Sequence, residues 1–88
     1  MKFKNLSLAY KALDAGGNMP CIINGANEVA VKTFLDNTIN FTNIPDVVEY
    51  AMTSVSYSDN IDLEVLEQTD TETRVKATEY IDKIKRKR

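Results

Sequence analysis

The longest stretch with one hydrophobic period runs through residues 24–41. There Ala26, Val29, Ala30, Thr33 and Phe34 recur at helical spacing over more residues than a strand usually holds. Asn24-Gly25, coming after the apolar run from Met19 to Ile23, could also begin a two-residue hairpin turn. The hairpin fails on the residues after Gly25, because polar and apolar positions do not alternate there. The pattern predicts a helix with Asn24 as its N-cap and Glu28 near the first turn, where the helix dipole favours a carboxylate. It should run to about Asp36 and stop at Asn37, a residue that tolerates left-handed geometry.

Before this stretch, Leu6, Ala9, Tyr10 and Leu13 share one helical face over residues 5–15, with Asn5 or Ser7 as cap. Gly16-Gly17 ends that helix, and Pro20 argues against its prompt resumption. After it, Ile39, Phe41 and Ile44 alternate with polar residues and read as an extended apolar connector or a short edge strand. Thr42 or Asn43 then caps a third helix with Pro45 and Asp46 in its first turn, and Ile44, Val47, Val48, Ala51, Met52 and Val55 form its inner face. Residues 56–60 are polar and turn-rich. Asp59 is expected to cap a short turn carrying Ile61, Val65 and Leu66. Asp70 is expected to cap a last helix with Glu72 in its first turn and Val75, Thr78, Ile81 and Ile84 facing inward. The expected fold is all-α: one domain over residues 1–88, a small bundle of about four helices with short loops.

Composition narrows the class further. A chain of 88 residues supports one modest core, and 43% hydrophobic with 27% charged residues is ordinary for a globular protein. No apolar run approaches the length of a membrane span and the first residues lack the apolar stretch of a signal peptide, so the expectation is a soluble, cytoplasmic domain without membrane contact. Histidine is absent, which removes the commonest proton shuttle near neutral pH. Cys21 is the single cysteine; with no histidine to activate it, it reads as a core thiol.

The remaining chemistry is sparse. Asp59, Asp62 and Glu64, or Asp70 and Glu72, lack the spacing of a calcium loop and read as acids at helix starts. No glycine-rich phosphate loop is present. Asn24, Asn27 and Glu28 cluster tightly enough for a binding constellation, yet the same residues suit the exposed N–H groups of a helix start. Lys83, Lys85, Arg86, Lys87 and Arg88 form a basic tail, which complements a helix C-terminus and offers no interleaved aromatic for base stacking. A stand-alone interaction module that binds nucleic acid through residues 83–88 is therefore the rival functional reading.

An ordered series of residues gives a sharper indication. Leu8-Ala9-Tyr10 with Ala12, then Gly16-Gly17 and Pro20, then Asn24 with the run Ala26-Asn27-Glu28-Val29-Ala30-Val31, then Phe34-Leu35, and last Ile39, Phe41 and Ile44 resemble the C-terminal helical domain of 1-deoxy-D-xylulose 5-phosphate reductoisomerase. Gly25 departs from the pattern, which usually has alanine there. The resemblance implies a parent enzyme with an N-terminal NADPH-binding domain and a central catalytic domain holding a divalent metal, Mg or Mn. Neither domain is in this chain, and no catalytic, cofactor or metal residue carries over to it. Residue 1 is thus expected to be a fragment start.

The implied role is structural. Asn24, Asn27 and Glu28 are expected to fix a loop-to-helix junction, while Val29, Ala30, Phe34, Leu35 and Phe41 build the core or the face that docks on the catalytic domain. The implied partners are the missing domains of the same enzyme. Apolar surface left bare by their absence would favour weak self-association.

Overall fold

The computed structural model describes residues 14–85. Among them are three α-helices and one 3-10 turn, and no strand. Helix α1 spans Met19–Leu35, the 3-10 turn Phe41–Asn43 leads directly into α2 at Ile44–Ser54, and α3 spans Leu63–Ile84. The expected all-α class holds, with three long helices among the described residues. The expected helix at residues 5–15 lies outside the described residues except for Asp14 and Ala15, which are helical. Gly16 and Gly17 come next with φ of 63° and 53°, the left-handed break expected of them.

Helix α1 begins six residues earlier than its hydrophobic period suggests, with Asn18 and not Asn24 before its first turn. Pro20 sits in its first turn, where its missing N–H has no intrahelical acceptor to lose, so it starts the helix instead of delaying it. Asn18 is the N-cap, and Asn24 lies inside the helix, which overturns its assignment as a cap. The other end matches expectation. Asn37 has φ 63°, its N–H donates to Phe34 O at 2.9 Å, and Thr38 N–H donates to Thr33 O at 3.1 Å, closing the last carbonyls in a Schellman motif.

The connector is neither extended nor a strand. Asn43 N–H donates to Asn40 O and Asn40 N–H donates to Asn43 Oδ1, each at 2.9 Å, winding residues 40–43 into a tight turn. Asn43 is the N-cap of α2, with Pro45 and Asp46 in the first turn as expected, although its side chain turns back to Asn40 and not into the helix.

Helix α3 is one continuous element where a short turn and a separate helix were expected. Its 22 residues contain neither glycine nor proline, and Asp62, not Asp59, caps it by accepting from Val65 N–H at 2.9 Å. Asp70 and Glu72 therefore lie mid-helix. Its inward face is Thr69, Thr73, Ala77 and Ile81, an i, i+4 series. Of the four positions expected inward, Ile81 is buried and Ile84 half-buried, but Thr78 is exposed and Val75 is 51% exposed. Small side chains win the inner face because α1 comes close: a Cβ built on Gly25 would lie 3.2 Å from both Asp70 Oδ1 and Thr73 Cγ2.

The core sits where the three helices meet. Ile22, Ala26 and Ala30 of α1 pack with Ile39, with Ile44, Val47, Val48, Ala51 and Val55 in and around α2, and with Ala77 and Ile81 of α3. Contacts Asn18–Thr69, Gly25–Thr73 and Glu28–Arg74 advance in the same sense along α1 and α3. By contrast, the C-terminal end of α2 returns to the start of α1 through Ser56.

Candidate functional site

Two places gather polar side chains from distant parts of the chain. The first is the start of α1. Asn18 is 1% exposed, and its Nδ2 donates to Thr69 Oγ1 at 2.9 Å and to Ser56 O at 3.0 Å. Its Oδ1 accepts from Ser58 N–H at 2.9 Å, and its own N–H donates to Ser58 O at 2.9 Å. Every polar atom of the side chain is thus engaged, as burial demands. Tyr57 Oη donates to Ala15 O at 2.6 Å beside it. A shallow polar cavity of about 240 Å³ lined by Asn18, Ser56, Tyr57, Ser58, Gln68 and Thr69, among others, opens here. The amide that would recognise a ligand in it is already satisfied by the protein.

The second is the exposed seam between α1 and α3. Asn24 Nδ2 donates to Glu28 Oε2 at 3.0 Å, Arg74 Nη2 donates to Glu28 Oε1 at 3.2 Å, and Arg74 Nε donates to Asp70 Oδ2 at 3.0 Å. These bonds to Asp70 first and Glu28 second raise the Arg74 pKa, so the guanidinium is a fixed cation. Cys21, half-buried on the same side of α1, directs its Sγ at Leu66 O at 3.6 Å. Burial chiefly, and Asp70 next, push its thiol pKa up, against the opposing pull of Arg74, which leaves it a poor nucleophile.

The residues singled out in the sequence separate on this frame. Asn24 and Glu28 join the seam to Arg74 and do not form a loop-to-helix junction; Asn27 is half-buried. Ala30 is in the core, while Val29 and Phe34 are partly buried against it. Leu35 and Phe41 face outward at 72% and 61% exposure, with the Phe41 ring edge-on to Phe34 at 5.6 Å. Sequence reasoning missed Asn18, Thr69 and Arg74. A polar residue directly before a Met-Pro step is the signal that could have identified Asn18, since that is where a cap belongs.

Among the described residues no three His, Cys, Asp or Glu side chains converge as a metal site, and no helix is long and apolar enough to cross a membrane. Asp62 is committed to a helix cap and Asp70 to Arg74. In the basic tail, Lys83 lies over the Tyr50 ring at 6.0 Å and Lys85 is 3.6 Å from Asp82; residues 86–88 lie outside the described residues.

Helices packed on one apolar core and cross-linked by buried and exposed polar side chains make this a small all-α domain. The chain belongs to the DXP reductoisomerase C-terminal domain family, whose model matches residues 1–76. It is similar to 1-deoxy-D-xylulose 5-phosphate reductoisomerase of Lachnospira eligens, with 51% identity over 67 residues covering 76% of this chain and 18% of that protein. The enzyme of the same name from Methylococcus capsulatus is 45% identical over 84 residues, covering 96% of this chain and 21% of that protein. That of Bacteroides fragilis is 45% identical over 80 residues, 91% of this chain and 21% of its own length. The chain thus spans about a fifth of the length of these relatives. The comparisons lend no support to a nucleic-acid-binding module.

Proposed function

We propose that the 88 residues act as one helical domain in a supporting role within a reductoisomerase. That enzyme rearranges 1-deoxy-D-xylulose 5-phosphate and reduces it with NADPH to 2-C-methyl-D-erythritol 4-phosphate, in non-mevalonate isoprenoid biosynthesis. The observation that carries the reading is the fate of the family run at residues 26–31 and its neighbours. Ala26 and Ala30 are core, and Asn24 and Glu28 are spent on a bridge to Arg74, so what marks the family is packing and not a reaction centre. On this reading the NADPH and the divalent metal belong to the other domains of the parent enzyme, and this chain supplies no catalytic residue.

The test is direct. The purified chain should show a helical circular-dichroism spectrum and a cooperative melt. With substrate, NADPH and Mg²⁺ or Mn²⁺ it should give no NADPH oxidation above background. A hybrid in which this chain replaces the matched segment of a full-length relative should turn over. Turnover or tight NADPH binding by the chain alone, or an inactive hybrid, refutes the reading.

A further inference from the structure

We propose that Leu35 and Phe41 form the anchor of the surface that docks on the rest of the reductoisomerase chain, the four-fifths of the relatives' length that lies outside this one. The inference rests on the proposed supporting role and adds to it the surface and the partner. Two features of residues 35–45 point to it.

The segment is built to be rigid while holding apolar groups in water. The Schellman closure ties Asn37 and Thr38 back to the end of α1, and the reciprocal bonds between Asn40 and Asn43 close the turn that carries Phe41. Phe41 is further held by its edge-on contact with Phe34. A free surface loop gains nothing from fixing an exposed aromatic ring. A docking surface does, because side chains ordered beforehand lose less entropy on association. Charge is also sparse around Phe41: residues 37–45 hold no ionisable side chain in a chain that is 27% charged, although Asn37, Asn40, Phe41 and Thr42 are exposed, and the exposed Asp36 stands at the edge of this stretch. Depletion of charge around an aromatic is the composition of an interface centre. The other exposed apolar side chains lie elsewhere: Ile61 and Leu63 stand on either side of the charged Asp62 cap, Tyr57 has its hydroxyl bonded to Ala15 O, and Val75 is single on α3.

The experiment compares two contexts, the isolated chain and the active hybrid with a full-length relative, each with and without the double substitution L35S/F41S. Amide hydrogen exchange over residues 34–44 should be at least about ten-fold slower in the hybrid than in the isolated chain, and the double variant should abolish that difference. Its melting temperature as an isolated chain should stay within about 2 °C of the parent, since the side chains removed are already in water. The control pair I61S/L63S should leave the exchange difference in place. Equal exchange in both contexts, while the unmodified hybrid is active, overturns the inference and leaves the family role standing. So does loss of the difference with I61S/L63S alone. A micromolar dimer of the isolated chain that L35S/F41S dissolves would make a second copy the occupant and overturn it too. An inactive unmodified hybrid removes both readings together.

Discussion

Asn18 and Thr69 are 51 positions apart in sequence and joined by a buried 2.9 Å hydrogen bond, so the cap of one helix is also tied to the inner face of another. The amide bridges α1, the segment after α2, and α3 in a single side chain. Asn18→Ala removes three side-chain bonds and leaves Ser58 N–H without its acceptor. It should destabilise the isolated chain by about 3 kcal/mol. Asn18→Asp, of the same shape, should recover little, because both Nδ2 donations are gone. Urea denaturation monitored by circular dichroism measures both. A cost below about 1 kcal/mol for the alanine variant would mean that solvent replaces the network.

Gly16 and Gly17 both have positive φ but differ in surroundings. A Cβ on Gly16 meets nothing within 4 Å, whereas one on Gly17 collides with Ser58 O and lies 2.9 Å from Asp59 Cα. Gly16→Ala should cost about 1 kcal/mol, the left-handed penalty alone. Gly17→Ala should cost more than about 3 kcal/mol, since backbone must move. Equal melting temperatures for the two variants would contradict the packing described.

Gly25 and Thr73 form a coupled pair. Alanine at residue 25 gains about 1 kcal/mol of helix propensity but presses on Thr73 Cγ2. Thr73 is 0% exposed, and its Oγ1 has no hydrogen-bond partner. Gly25→Ala alone should be near neutral. Combined with Thr73→Ala, which removes the stranded hydroxyl and the crowding methyl together, it should stabilise the fold by about 1 kcal/mol beyond the sum of the single changes. Strict additivity in the double-mutant cycle would show that the close approach has no energetic consequence.

The Glu28–Arg74 pair lies on the surface, with both side chains close to half exposed. Its coupling in a Glu28→Ala, Arg74→Ala cycle should be about 0.5 kcal/mol at low salt and should shrink in roughly 0.5 M NaCl. The seam therefore sets the register of α1 against α3 more than it sets stability.

Cys21 should react with iodoacetamide at about pH 8 more slowly than a free thiol, and at the free rate once unfolded. The folded state holds the thiol proton more tightly than the unfolded chain does, chiefly through burial. Stability from this group is accordingly complete below the ordinary thiol pKa of 9.0 and is lost as pH rises through the folded value. Cys21→Ser should remove that alkaline loss, as read from urea midpoints between about pH 8 and 10.

Much of the fold is legible where one residue has one physical role. Asn37 stops α1 because it tolerates positive φ, and Asp46 and Pro45 open α2 because charge and a fixed φ both suit a first turn. What was illegible depends on partners distant in sequence. Pro20 reads equally as breaker or starter, and the choice is made by Asn18, whose side chain is held by Ser56, Ser58 and Thr69. Hydrophobicity alone places Ile81 and Ile84 inward on α3 but misses Thr73 and Ala77, with Thr73 inside because Gly25 brings α1 near. Leu35 and Phe41 look like core by type, and only three-dimensional placement turns them outward.

Helix α1 is 17 residues of unbroken hydrogen bonding, about 26 Å long, with the Asn18 network at one end and the Leu35 and Phe41 surface at the other. Because α1 begins at Met19 and not at Asn24, no joint lies between them. The Asn18 network and Leu35 are therefore held at a fixed separation by one continuous helix.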